Sequence, residues 1–189
     1  MKTEVYMRMS MKNMLAYSLY ALMKEKHFDK ITIKEISAKT GVIRGTFYNH
    51  FHDKYEALEY LTYSILIDED EIIEDYNQLL KNLLTKMDSE KTYFKHCFQI
   101  EGQNGFETIF RKLFYQLIDK FIMENHIDFS KINMNKELFV EMNMNTILFI
   151  IQYWITKQPE KNANEIFELF EFILTKSTKD LIEELRKTQ

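Results

Sequence analysis

Residues 32–54 contain the pattern that decides the fold, and they read TIKEISAKTGVIRGTFYNHFHDK. Thr32 and Glu35 have the spacing of a capping box, in which a hydroxyl and a carboxylate bind the free amides at the start of a helix. Gly41 can take the positive φ that ends a helix within one residue. A second short helix, from about Ile43 to His50, is expected after this corner. Two short helices joined by a glycine corner form the helix-turn-helix arrangement.

Helices are also predicted on both sides of this stretch. Upstream, apolar residues at helical spacing from Met14 to Met23 predict a first helix with one buried face. Downstream, Asp53 can cap a helix that begins at Lys54. Phe47 and Phe51 are four residues apart and therefore share one helix face, which we expect to pack in the core of the domain.

The chain has 189 residues, with four glycines and one proline. So few helix breakers favour long helices over a fold with many tight turns. Apolar residues recur at helical spacing over three later segments, from Phe106 to Ile122, from Leu138 to Ile155 and from Ile166 to Leu185. We therefore predict an all-α protein of about nine helices. Residues 1–56 would form a three-helix helix-turn-helix domain, and residues 57–189 a larger helical domain.

Several classes of protein are excluded by what the sequence lacks. A single cysteine, Cys97, excludes an internal disulfide framework and a zinc site built from cysteines. Uninterrupted apolar runs such as Ile147 to Ile151 are far shorter than the roughly 20 residues that span a bilayer, and residues 1–10 lack the apolar core of a signal peptide. The phosphate-binding, zinc-protease and nucleophile-elbow patterns of common enzymes are absent from the sequence. We therefore expect a cytoplasmic protein that is not an enzyme, uses no metal or cofactor, and has no membrane partner.

Charge is distributed unevenly along the chain. Residues 1–56 hold 10 Lys and Arg against 6 Asp and Glu, a net charge of +4, whereas residues 57–189 hold 15 against 23, a net charge of −8. A basic domain joined to an acidic one is typical of a protein whose first domain faces phosphates. Chance variation in surface charge can also produce a difference of this size.

The second short helix carries residue types that read bases in a major groove. Arginine can bind guanine through two hydrogen bonds and asparagine can bind adenine in the same way, which favours roles for Arg44 and Asn49. Gly45 removes a side chain where the backbone can approach DNA closely. Thr32 and Lys54 stand at helix N-termini, which attract anions such as phosphates. The predicted DNA-binding residues are Thr32, Arg44, Gly45, Thr46, Tyr48, Asn49, His50 and Lys54.

Some of these residues also have simpler explanations. Taken alone, Tyr48 also fits a packed aromatic side chain whose hydroxyl binds water. His50 and Lys54 also fit ordinary surface positions, and the glycines also fit simple turns. The combination of all these residues within one short stretch favours the DNA-binding interpretation.

The same stretch resembles the DNA-binding domain of the TetR/AcrR transcriptional regulators. The resemblance is carried by the string Gly-Val-x-Arg-Gly-Thr-Phe-Tyr-x-His-Phe-x-x-Lys at residues 41–54, and it covers roughly residues 10–60. In one departure, Ile43 stands where the family usually has serine or threonine. The second short helix therefore lacks a side-chain N-cap, which is worth about 1 kcal/mol, and a phosphate contact can be lost with it. In another, Ser37 and Thr40 replace small alanines.

The resemblance implies a sequence-specific transcriptional regulator, expected to be a repressor, that binds double-stranded DNA as a homodimer. The last two helices of each chain would form the dimer interface, which the strong apolarity of Leu138–Ile155 and Ile166–Leu185 also favours. The alternative is that both helices fill a monomer core. A two-fold dimer would place its two recognition helices roughly 34–36 Å apart on a pseudo-palindromic operator.

The resemblance also implies a pocket for a small apolar or aromatic effector in the C-terminal domain. Effector binding would rotate the fourth helix, from Lys54 onward, and change the separation of the two recognition helices. Any single phenylalanine or methionine at helical spacing is more often an ordinary core residue than part of a pocket. The polar atoms of Asn143, Tyr153 and Trp154 would need partners if buried. The candidate pocket residues are Phe94, Cys97, Phe98, Phe110, Phe114, Met142, Asn143, Tyr153 and Trp154.

A second control mechanism stays open at this point. The same DNA-binding domain could belong to a coactivator, or to a regulator controlled by a protein partner with no small-molecule inducer. An apolar void of about 300 Å³ or more in the C-terminal domain would favour the effector, whereas a body packed solid by aromatic side chains would favour the protein partner.

Overall fold

The computed structural model describes residues 10–68, 75–100, 102, 105–131, 134–175 and 178–187. Within these residues the chain forms ten α-helices, two short 3-10 helices and no strand. The all-α prediction is confirmed, and the number of helices is close to the expected nine. The α-helices are α1 (Met11–Met23), α2 (Ile33–Thr40), α3 (Arg44–Tyr48), α4 (Lys54–Leu66), α5 (Tyr76–Ser89), α6 (Lys91–Cys97), α7 (Phe106–Glu124), α8 (Lys136–Lys157), α9 (Ala163–Thr175) and α10 (Thr178–Lys187).

The N-terminal helices begin and end where short-range interactions place them. The capping box at α2 is present, since the Glu35 amide donates to the Thr32 hydroxyl at 3.3 Å and the Thr32 amide donates to the Glu35 carboxylate at 2.9 Å. Gly41 ends α2 in the left-handed region, with φ of 81°. At the start of α4, the Asp53 carboxylate accepts hydrogen bonds from the amides of Tyr55 and Glu56, both at 2.8 Å.

Helix α3 is shorter than the sequence predicts. It spans five residues, and Ile43 precedes it without any side-chain cap hydrogen bond, as the departure from the family pattern indicates. Phe47 and Phe51 are both buried and their rings lie 5.6 Å apart, which confirms that they face the domain core. Helix α1 packs against α2 and α4, and α2 packs against α3, so the recognition segment rests on a small three-helix core.

The C-terminal helices form a second and larger part of the core. Helix α5 packs against α9, α7 against α8, and α6 against α8. Trp154 is fully buried in this region, and its indole N–H donates to the Lys161 carbonyl at 2.8 Å. The helix predicted over Ile166–Leu185 is described as two helices, α9 and α10, on either side of residues 176 and 177, which lie outside the described residues.

Helices α1 and α4 connect the N-terminal helices to the C-terminal ones. The Tyr20 hydroxyl of α1 donates to the Glu90 carboxylate at 2.5 Å, and Thr62 of α4 hydrogen-bonds the buried Tyr93 hydroxyl of α6 at 2.8 Å. The domain boundary predicted after residue 56 therefore falls inside α4, a helix that packs against both α1 and α5. The division of the chain into two domains stays a prediction.

Among the described helices, α8 has the length and apolar composition of a segment that could cross a bilayer. One side of this helix, which includes Val140, Ile147 and Ile151, is buried against the rest of the protein. The core helix of a folded domain has the same composition, so burial accounts for this part of its apolarity.

Candidate nucleic-acid interface

Helix α3 and the residues next to it, from 43 to 50, form a largely exposed surface. Of residues 43–50, only Phe47 is buried, while Ile43, Arg44, Gly45, Tyr48 and Asn49 are exposed. Thr46 and His50 are half-buried. A five-residue helix with one buried anchor can lie in a groove with most of its side chains available to a partner. The structure thus brings six of the eight predicted DNA-binding residues together on one surface.

Arg44 and Tyr48 form a pair along α3. The Arg44 guanidinium donates to the Tyr48 hydroxyl at 2.8 Å and lies 5.4 Å from the centre of its ring. This contact orients the guanidinium before any partner binds. Because a guanidinium has five N–H donors, the contact with Tyr48 leaves donors for the two hydrogen bonds that recognise guanine.

Gly45 is not required by the fold of this chain. Its φ is not positive, and a Cβ added to it would meet only the Cδ1 atom of Ile43, at 3.9 Å. Glycine in a helix is about 1 kcal/mol less favourable than alanine. Gly45 therefore lowers the stability of the helix, and no contact within the chain requires a glycine there. A close approach by another molecule supplies a reason for a glycine at this position.

Thr32 is engaged within the protein. Its hydroxyl donates to the Glu35 carboxylate at 2.9 Å and accepts from the Glu35 amide, and Lys26 forms an ion pair with the same carboxylate. The donors from Lys26 and Thr32 lower the pKa of Glu35 to about 2. The start of α2 therefore already binds an anion, the chain's own carboxylate, where the sequence predicted a phosphate.

Lys54 is also engaged within the protein, and its contact with a phosphate stays a prediction. Its ammonium donates to the backbone carbonyls of Phe28, Asp29 and Ile31 at 2.8, 3.1 and 3.1 Å, and it lies 4.5 Å from the centre of the Phe28 ring. Burial lowers the pKa of this ammonium. An ammonium has three N–H donors, and all three are used here, so none is left for a phosphate in this conformation. Lys54 instead fixes the start of α4 to the segment that precedes α2.

The comparison with known proteins addresses this surface directly. Residues 20–61 match the family described as "Bacterial regulatory proteins, tetR family". The chain carries a tetR-family DNA-binding domain. The matched segment runs from α1 into α4 and contains all of α2 and α3.

No curated protein matches the sequence of this chain. The chain is similar to a solved structure titled "Dihydroxyacetone kinase operon activator DhaS", with a TM-score of 0.62 and 24% sequence identity. The match covers 84% of this chain and 92% of that one. This likeness shows that the tetR-family domain and the helices after it share one overall fold with that protein.

The predicted pocket residues differ in their exposure and in their contacts. Met142 and Tyr153 are 53% and 48% exposed and lie on the outer side of α8. Asn143 is half-buried and its side chain is satisfied by the Tyr76 hydroxyl and the Phe139 carbonyl, both at 2.8 Å. The other six are buried or half-buried: Phe94, Cys97, Phe98, Phe110, Phe114 and Trp154.

Two of these residues, Phe110 and Phe114, border a cavity at the end of α4. The cavity has a volume of about 10 Å³, and it is also lined by Leu66, Ile67, Leu83, Leu113 and Leu117. Cys97 lies apart from it, and burial raises the pKa of its thiol, so the cysteine is a core side chain in the protonated form. A space of this size is below the roughly 300 Å³ of a typical small-molecule site.

Proposed function

We propose that this tetR-family regulator is a repressor that binds a pseudo-palindromic operator as a homodimer. A small apolar or aromatic effector in the C-terminal helices would release it from the DNA. The protein would act in the cytoplasm, without catalysis, a metal, a cofactor or a membrane partner. The observation that carries the DNA-binding role is the bare backbone at Gly45 beside the oriented guanidinium of Arg44. Close backbone approach and bidentate base recognition are what a major groove requires of a recognition helix.

The exposed residues of α8 support a homodimer. We call Leu138, Met142, Phe149 and Tyr153 the outer face of α8, and these four side chains are between 48% and 68% exposed. Their spacing of four, seven and four residues places them within one narrow stripe of the helix. A continuous apolar stripe of this length is typical of a surface that is covered by another molecule.

The next helix along the chain also exposes apolar side chains. Leu169 and Phe172 of α9 are both 39% exposed. A second copy of the chain can cover such a surface through a two-fold axis, since the patch is then its own partner. The proposed interface therefore consists of α8 and α9 from both chains, and it accounts for the apolarity of α8 that burial within one chain does not explain.

The cavity at the end of α4 supports a place for the effector. Leu66 is the last residue of α4 and Ile67 follows it, while Lys54 lies at the other end of the same helix. A ligand that enlarged this small space would displace the end of α4 and, through it, the recognition helices. We propose that the effector binds here by expanding the cavity between α4, α5 and α7.

The same cavity also favours a second candidate, a coactivator or protein-controlled regulator without an inducer. Its volume of about 10 Å³ shows that this part of the core is filled by aliphatic and aromatic side chains. The structural neighbour DhaS is titled an operon activator. In this candidate, a protein partner would replace the effector and the DNA-binding domain would act unchanged.

One experiment tests the DNA-binding role, and a second separates the two control mechanisms. Selection of bound duplexes from a random pool at low ionic strength should enrich two half-sites about one helical turn apart, and a pool without enrichment would refute the proposal. The purified complex can then be challenged with a panel of small apolar and aromatic compounds while release is followed by fluorescence anisotropy. Release by a compound supports the effector. A complex that only a protein partner alters supports the coactivator.

A further inference from the structure

Ile43 is an apolar residue at a position where a polar one would stabilise the helix. It occupies the N-cap of α3, makes no cap hydrogen bond, and is 78% exposed. Serine or threonine in its place would stabilise the helix by about 1 kcal/mol. A single exposed apolar residue is ordinary on a protein surface, but its location at the N-terminal end of the recognition helix is specific.

The side chain of Ile43 lies beside the bare backbone of α3. Its Cδ1 atom is 3.9 Å from the place that a Cβ of Gly45 would occupy. The next residue, Arg44, is exposed and directs its guanidinium along the helix toward Tyr48. The end of α3 that enters a major groove therefore combines one apolar side chain, one uncovered backbone segment and one cation.

The chemistry of the major groove offers one apolar partner for such a side chain. Base edges there present hydrogen-bond donors, acceptors and, on thymine alone, a C5-methyl group. The side chain of an isoleucine can neither donate a hydrogen bond to a phosphate nor form one with a base edge. We infer that Ile43 contacts the methyl group of a thymine next to the base read by Arg44, and so specifies thymine at one position of each half-site. This inference rests on the proposed DNA-binding function.

Replacing thymine by deoxyuridine tests the contact because it removes the methyl group and keeps the base pair. In a duplex selected by the wild-type protein, each thymine of the two half-sites would be replaced in turn, at symmetry-related positions. Loss of one buried methyl corresponds to about 0.8 kcal/mol, a factor of about four in Kd. We expect one such pair of positions at which the dimer binds about fifteenfold more weakly, since two half-sites contribute.

The variant Ile43→Ser identifies the protein side of the contact. Serine restores a favourable N-cap, so this variant is expected to fold at least as stably as the wild type, which thermal unfolding checks. We expect it to bind the thymine and uracil duplexes with equal affinity. Arg44→Ala is the matched control, because it should bind more weakly and yet keep the preference for the methyl group.

The outcomes separate the contact from the function on which it rests. A wild-type protein that enriches no duplex refutes the DNA-binding function and the contact together. A wild-type protein that binds its selected duplex but tolerates uracil at every thymine refutes the contact alone. The contact is also refuted if Ile43→Ser retains the full preference for thymine, because the methyl group is then read by another residue.

Discussion

Replacing Gly45 by alanine is expected to stabilise the free protein and to weaken its binding to DNA. In the free protein the added Cβ meets only the Cδ1 atom of Ile43 at 3.9 Å, which is an ordinary contact distance. Alanine is about 1 kcal/mol more favourable than glycine inside a helix. For a chain of this size, the melting temperature should therefore rise by about 2–4 °C.

The opposite effect is expected on the complex, since the proposed binding mode places the backbone of α3 against DNA. Forcing one extra methyl group into a close-packed contact costs about 1–3 kcal/mol. This cost corresponds to a loss of about 5- to 150-fold in affinity for each half-site. A substitution that strengthens the fold and weakens the complex cannot act by damaging the structure.

Thermal unfolding and fluorescence anisotropy on the selected duplex measure the two effects separately. Gly41→Ala is the control, because Gly41 has φ of 81° and a side chain there is strained although no atom lies within 4 Å of the added Cβ. We expect that control to lower the melting temperature. Unchanged DNA affinity of Gly45→Ala would show that the backbone does not approach DNA at this residue, and a lower melting temperature would show that the site is not open.

Three further predictions follow from named contacts. Ser37→Ala should raise the melting temperature by about 2–12 °C, since the Ser37 hydroxyl is buried without a hydrogen-bond partner and such burial costs about 1–3 kcal/mol; a lower melting temperature would contradict this. Lys54→Met should lower stability and DNA affinity and leave the salt dependence of binding unchanged, whereas loss of a direct phosphate contact would reduce the slope by about 1. Phe149→Glu should convert a dimer into a monomer in light scattering, while Tyr115→Glu, on an exposed aromatic residue of α7, should leave the dimer intact.

The local structure of the N-terminal helices could be predicted because its determinants are close in sequence. The capping box joins residues three apart, Gly41 acts on its own helix end, and Phe47 and Phe51 are one turn apart. These interactions depend little on the rest of the chain. For that reason the helix-turn-helix was evident in the sequence before any contact between helices was known.

Contacts between distant residues account for most of what the sequence did not reveal. The carbonyls that bind Lys54 precede it by 23 to 26 residues, and the Lys26 that pairs with Glu35 lies nine residues away on another segment. The sequence also does not show which side of α8 faces the core, because apolar residues occur around most of this helix. The sequence therefore predicts pocket positions for Met142 and Tyr153, whose side chains are about half exposed in this chain.

In the proposed regulator, helix α4 would connect DNA binding to the controlling signal, because its two ends have different neighbours. Lys54 at its start binds the segment that precedes α2, and Leu66 at its end borders the cavity of the C-terminal helices. Thr62, between them, is tied to Tyr93 of α6. We therefore expect a ligand or protein that prefers one arrangement of the C-terminal helices to favour one position of α4 and of the recognition helix as well. A partner that binds both arrangements equally does not shift the equilibrium between them. A change in their ratio from 1:99 to 99:1 requires about 5.5 kcal/mol of differential binding.

Since either kind of signal would act through the same helix, substitutions in α4 that uncouple its ends should abolish control and leave the base preference of α3 intact.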